Sequence, residues 1–266
     1  MSLVKNRTKR YLPVLVGTAS ITCLVLIWEY FAGSNTSALA AVLPPPSHFL
    51  GVIAQSDFRI GMGSQSTPVG MSVLATFMRV FSGLFIAFIA AIITAMLLSL
   101  SKIITWVLSP IIYLLSPIAP IAWIPTAITL LGIGNATAIF IVFMGVYFIL
   151  TIGTLAEIRR LPEEFHIVAD DLGAGPWQRW LWVVLPAILP GTFTLLRTNF
   201  IAAWMAVLVA EMVGLHDGMG AIIMMGRNLF NNDLIMFGMV MIGLSGFVVD
   251  RILAFIGKHL LWWRVS

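Results

Sequence analysis

Charge is scarce in this sequence. Only 10% of its 266 residues are Asp, Glu, Lys or Arg, against roughly 25% in an average soluble domain, while 60% are hydrophobic and the mean hydropathy is +1.02. So few charges cannot coat a water-facing surface, which excludes a soluble globular protein. Cysteine is nearly absent: Cys23 stands alone in an apolar run, so an intrachain disulfide and a thiolate metal cage are excluded, and the redox compartment stays open. The four histidines, His48, His166, His216 and His259, fall in separate segments without a His-x-x-x-His or His-Glu-x-x-His pattern, which argues against a metal site. No Gly-Lys-Ser or Gly-Lys-Thr occurs, and the Gly-x-Gly of Gly132 and Gly134 is not followed by a phosphate-loop pattern. A nucleotide site within this chain is not expected. Period-2 alternation is also missing, which excludes a membrane barrel.

Long apolar runs are abundant. Six can be marked, at 11–31, 73–100, 103–124, 136–156, 189–209 and 234–256, and as helices each covers about 30 Å or more, the thickness of the hydrocarbon core. Backbone groups in lipid must be satisfied internally, which requires helices. The expected fold class is an all-α polytopic membrane protein with about six transmembrane helices in one domain, 11–257, between short tails at 1–10 and 258–266. At roughly 20 residues per span, no length is left for a sizeable soluble catalytic domain, so ATP chemistry must come from another subunit. The run 11–31 is longer than a signal-peptide core and is followed by Ser34-Asn-Thr-Ser37 rather than a cleavage site, so it reads as a retained span. Pro110, Pro117, Pro120 and Pro125 should break or bend the third run.

The net charge of +4 and the pI near 9.6 follow from topology and not from a nucleic-acid partner. With the N-terminus inside, Lys5, Arg7, Lys9, Arg10, Lys102, Arg159, Arg160, Arg179, Lys258 and Arg264 all fall on or near the cytoplasmic side. Both termini are then cytoplasmic. Two outer segments are long, 33–70 and 211–233, as is one inner loop, 157–188.

That inner loop carries most of the information. Pro162 can start a short helix and Gly173 can end it. Phe165, Val168, Ala169 and Leu172 follow helical spacing as one apolar stripe, with Glu163, Glu164, Asp170 and Asp171 opposite. Ile167, between Glu164 and Asp171, would be an exposed apolar residue on the acidic face. After Pro176, Trp177, Trp180 and Trp182 with Arg179 have the composition of a helix at the membrane interface.

The run Pro162-Glu-Glu, Ala169-Asp-Asp-Leu-Gly173-Ala, Trp177 and Val183-Val-Leu-Pro186-Ala-Ile-Leu-Pro190-Gly resembles the cytoplasmic signature loop of the inner-membrane permeases of binding-protein-dependent ABC importers. Ala169, Gly173, Leu185 and Pro186 match that motif in order and spacing, while Ile167 and Val168 replace its Glu and first Ala. Gly132-Ile-Gly134, Leu196-Arg197, Ala210-Glu211-Met212 and the segment from Gly218 to Asn228 resemble the branch that imports nitrate, bicarbonate, taurine and other sulfonates. The resemblance implies a type I ABC importer (MetI-like) fold in a bacterial inner membrane. Its implied partners are two ATPase subunits that hold ATP and magnesium, a second permease copy as a homodimer, and an external substrate-binding protein. It implies no cofactor and no covalent chemistry in this chain. The ATPase-coupling residues would be Glu163, Glu164, Ile167, Val168, Ala169, Asp171, Leu172 and Gly173.

Charges inside spans are costly and mark either struts or water-lined paths. Arg197, deep in the fifth run, can be an inter-helix strut or can line an anion path, and Glu211 closes the same helix near the outer face. Arg79 and Glu29 lie near helix ends and read as interfacial anchors. The methionines between 212 and 241 read as adaptable packing rather than a soft-metal path. A secondary transporter or channel is disfavoured because no internal repeat and no mid-span acid are found. His216-Asp217 has no nucleophile specified beside it, which disfavours an intramembrane hydrolase.

Overall fold

The structure is a computed structural model that describes residues 2–33, 43–55, 59–60 and 67–260. Most of the loop that precedes the second apolar run, with Ser66 in it, and residues 261–266 with Arg264 of the C-terminal tail lie outside the described residues. Helices dominate: α1 (Ser2–Gly33), α2 (Pro46–Gln55), α3 (Val69–Leu100), α4 (Lys102–Leu115), α5 (Ile124–Leu131), α6 (Asn135–Arg159), α7 (Glu163–Asp171), α8 (Pro176–Arg179), α9 (Leu185–Met212), α10 (Met219–Asn228) and α11 (Asn232–Leu260). A two-residue antiparallel ladder pairs β1 (Arg59–Ile60) with β2 (Thr67–Pro68). Among the described residues five stretches are long and apolar enough to cross a membrane: Leu15–Gly33, Val69–Leu100, Asn135–Arg159, Trp177–Met212 and Asn232–Gly257.

A sixth crossing is possible only as a bent pair. The sequence marks one stretch from 103 to 124, but the structure has α4, a 3-10 turn at Pro120–Trp123 and α5, bent by 100°. The prolines explain the break. Pro117 and Pro120 flank the gap between the helices, and Pro125 sits in the first turn of α5, where its missing N–H costs nothing. Pro110 is accommodated inside α4.

The chain forms two compact units, residues 1–69 with 222–240 and residues 70–221 with 241–266. In the first, α1 buries only Ala32 among its described side chains. Its C-terminal end is tied to α2: the Trp28 and Phe49 ring centroids are 5.8 Å apart, and the Glu29 carboxylate accepts from the Ser47 hydroxyl and, at 3.1 Å, from the Ser47 N–H. Glu29 therefore caps the start of a helix and does not merely reach for the interface. His48 Nδ1 lies 2.9 Å from Asp233.

In the second unit α6 and α9 form the centre. Ala138, Ile141, Val142, Val146 and Leu150 of α6 pack with Phe200, Ala203, Trp204 and Val207 of α9, and with Val80, Leu84 and Ala87 of α3. A second cluster joins the end of α3 to Ile112, Phe148, Leu155, Trp180 and Ile188. Lipid tails are as apolar as these side chains, so close packing and interhelical hydrogen bonds, not water exclusion, hold such helices together.

Candidate coupling loop and intramembrane charge sites

Helix α7 starts at Pro162 and places Glu163 and Glu164 in its first turn, where the macrodipole favours acids. It ends because Gly173 turns into the left-handed region at φ +68. Two hydrogen bonds close that end: Gly173 N–H donates to Asp170 C=O at 2.9 Å and Ala174 N–H to Ala169 C=O at 3.0 Å. Asp170 pairs with Arg179, fastening α7 to α8. From α8 the chain passes through one π-helical turn, Trp180–Val184, straight into α9.

The expected apolar stripe is not buried as a stripe. Ala169 alone is enclosed, at 1% exposure, whereas Phe165, Val168 and Leu172 lie open to the surroundings, Leu172 at 81%. Ile167 is exposed as well. A helix serving only as a connector would turn its apolar residues inward. Here Phe165, Ile167 and Val168 of α7 and Leu172 just after it stay exposed. Of the three tryptophans that follow, Trp180 is buried and Trp177 and Trp182 are exposed.

Near the C-terminal end of α9 a buried charge cluster assembles. Arg79 is only 2% exposed. Its Nε donates to Asn135 Oδ1 at 2.7 Å, its Nη1 to Glu211 Oε1 at 2.8 Å and to the Asp217 carbonyl at 3.0 Å, and its Nη2 to Asp217 Oδ1 at 2.6 Å. Glu211 also accepts from Thr76 Oγ1 at 2.8 and 2.9 Å and from the Gly220 N–H at 3.0 Å, while Thr76 Oγ1 accepts from the Met219 N–H at 2.9 Å. Thr76 and Glu211 thus cap the N-terminus of α10. Gly220 permits this approach, since a Cβ there would lie 2.5 Å from the Leu208 carbonyl oxygen. The interfacial role expected of Arg79 is corrected: a guanidinium with three side-chain partners is a buried tie between α3, α6, α9 and the segment leading to α10. Glu211 is fully enclosed. Asp217 serves Arg79.

Arg197 lies twelve residues, ~18 Å, into α9. Its Nε and Nη2 donate to Asp250 Oδ1 and Oδ2 of α11 at 3.0 and 3.1 Å. An acid in mid-span therefore exists, contrary to the sequence reading, and Arg197 is matched within the chain. Arg251, next to Asp250, lies 4.9 Å from the Phe247 ring centroid. Asp250 was findable as a lone carboxylate in the run 234–256.

The profile of the binding-protein-dependent transport system inner membrane components matches residues 60–261. The chain belongs to this family. A Methanocaldococcus jannaschii protein carrying the name ABC transporter permease is 34% identical over 264 residues, covering 98% of this chain and 95% of the relative. A nitrate import permease of Synechocystis is 26% identical, covering 92% and 89%, and a bicarbonate transport permease of Synechococcus elongatus is 28% identical, covering 93% and 90%. A bacterial ABC transporter involved in import of the acidic polysaccharide alginate shares the fold with a TM-score of 0.63 at 14% identity, over 98% of this chain and all of that one. The helical type I importer fold and the assignment as a multi-pass ABC importer permease of the inner membrane are thereby settled. As a member of this family the permease works with a binding protein and an ATPase.

Proposed function

We propose that this permease imports a small oxyanion of the nitrate or bicarbonate kind, working as a homodimer with two separate ATPase subunits on the cytoplasmic side and an external binding protein that delivers the anion. The observation that carries the coupling part is the open apolar surface of α7, anchored by Ala169 and stopped by Gly173 in the one long inner loop. When ATP draws the ATPases together, the two α7 helices move with them. Each drags α8 and the contiguous α9, and the cavity between the copies changes from inward to outward access. Hydrolysis resets it. The anion class is supported by the names of the nitrate and bicarbonate relatives. No covalent chemistry is assigned to this chain.

The deciding assay uses proteoliposomes holding the permease, its ATPase and its binding protein. ATP hydrolysis should rise when binding protein loaded with nitrate or bicarbonate is enclosed on the outer side, with uptake dependent on ATP. Uptake without ATP would indicate a channel or secondary transporter and overturn the proposal. Orientation is tested in a Cys23→Ser background by single cysteines at Phe230, 93% exposed in the loop before α11, and at Leu172. An impermeant thiol reagent applied to intact cells should label position 230 and spare 172. Labelling of 172 would reverse the topology.

A further inference from the structure

The exposed faces of the spanning helices are not alike. Along α3 the exposed positions from Met71 to Leu97 are all apolar, Leu74, Met78, Phe85, Ile89 and Ile93 among them, as a lipid-facing surface requires. On α9 beyond Pro186 the exposed face is narrow: Thr194, Thr198, Ile201 and Met205 succeed one another at spacings of four, three and four residues, one stripe on the helix surface. Two of its four members carry hydroxyls, each donating to the carbonyl one turn back, Thr194 to Pro190 at 2.8 Å and Thr198 to Thr194 at 2.9 Å, which leaves the oxygen lone pairs on the open face. Arg197 adjoins this stripe, three residues from Thr194 and four from Ile201, and with Asp250 it is only half covered, the side chains being 41% and 34% exposed. A charged pair this far into a span, left partly open, is costly on a lipid-facing surface and usual on one that faces water.

The Arg197–Asp250 geometry carries a second meaning. Both carboxylate oxygens of Asp250 engage the guanidinium along its Nε–Nη2 edge. That two-oxygen edge is the recognition unit for a carboxylate, and nitrate and bicarbonate, which are planar trigonal oxyanions, present the same edge. We propose that the Thr194–Arg197–Thr198 stripe lines the aqueous substrate path and that Asp250 holds on Arg197 the place a planar oxyanion takes during passage. The pair is neutral at rest, so the anion meets a weak site it can leave. In the exchange Arg197 passes from one oxyanion to the next, and the displaced Asp250 carboxylate, 34% exposed, turns to water until the anion leaves. This inference rests on the anion reading above and adds to it the residue that meets the anion and the residue that releases it.

The test uses the complete complex with the ATPase, in the Cys23→Ser background, with one cysteine at Thr198 and, as the lipid-facing control, one at Phe85. Negatively and positively charged methanethiosulfonates should both label Thr198→Cys, and neither should label Phe85→Cys. Adding Asp250→Asn frees the positive charge of Arg197 and should raise the ratio of anionic to cationic labelling rates at Thr198→Cys by about tenfold. Nitrate or bicarbonate should slow that labelling strongly in the Asp250→Asn complex and weakly in its parent. Absence of labelling at position 198, or a crosslink there between two copies, overturns the path assignment. An unchanged reagent ratio, or failure of Asp250→Asn to assemble, assigns the pair to structure and overturns the exchange role. Absence of protection by both nitrate and bicarbonate also overturns that role: if the wild-type complex still takes up either anion, the proposed function stands, and if it takes up neither, the anion reading falls with it.

Discussion

Replacing Arg79 with alanine is expected to cost about 3–5 kcal/mol, the penalty for stranding the partner of a buried ion pair, and with it most of the assembled permease. Four groups lose their donor at once: the Glu211 carboxylate, the Asn135 amide, and the Asp217 side chain and carbonyl. Asp217 is half-exposed and can turn to water. Glu211 cannot, because it is enclosed between α3, α9 and the start of α10. Glu211→Gln should be milder than Glu211→Ala, since an amide oxygen can still accept from the Thr76 hydroxyl and the Gly220 N–H. Lysine at position 79 keeps the charge but reaches fewer partners than the planar fork and should recover only part of the yield. The measurement is complex yield and thermal midpoint in detergent for Arg79→Ala, Arg79→Lys, Glu211→Gln and the Arg79→Met/Glu211→Met double variant. The double variant should exceed Arg79→Ala, because no buried charge is stranded, while staying below wild type because α10 loses a cap. Wild-type yield in Arg79→Ala would show that the cluster does not hold α3, α6 and α9 together.

Much of the fold was legible because lipid imposes a simple rule: helices α3, α6, α9 and α11 cover four of the apolar runs, α3 extending past its run at the N-terminal end and the other three at both ends by one to four residues. The third run shows where hydropathy stops. Its prolines mark a break, but a bend of 100° depends on what α5 packs against, and the core positions Ile124 and Ala127 belong to a cluster built mostly by α6 and α9. The charge sites were legible one residue at a time and not as pairs. Arg79 meets Glu211 across 132 positions and Arg197 meets Asp250 across 53, and no periodicity encodes such a meeting. A stronger use of one signal was open to sequence reading: opposite charges in or at the end of separate apolar runs each need a partner, and here Arg197 serves Asp250 and Arg79 serves Glu211. The stripe on α7 failed differently. Helical spacing shows which residues share a face, but only contact with the π-helical turn at Trp180–Val184 decides that the small Ala169 goes inside while its bulky neighbours stay out.

Gly173→Val is expected to abolish coupling while leaving insertion intact. At φ +68 this residue occupies the left-handed region, which costs an ordinary side chain roughly 1–2 kcal/mol and is a genuine outlier for a β-branched one. Space is not the obstacle, because a Cβ at this position would meet nothing within 4 Å. The penalty is therefore conformational and graded: asparagine, which tolerates this region, should be mild, alanine intermediate and valine severe. Relief comes from unwinding the bonds of Gly173 to Asp170 and of Ala174 to Ala169, which frees the end of α7 from the turn into α8. Val168 and Leu172 then lose the fixed orientation an ATPase surface needs. The spans do not depend on this turn, so the Val variant should reach the membrane at wild-type levels. Binding-protein-stimulated ATP hydrolysis in proteoliposomes should fall by about tenfold or more, equivalent to 1.4 kcal/mol of lost docking, and ATPase co-purification should fall in the order Asn, Ala, Val. Coupled hydrolysis at the wild-type rate in Gly173→Val would remove α7 from the coupling surface. A parallel loss of membrane insertion would make the turn a folding element instead.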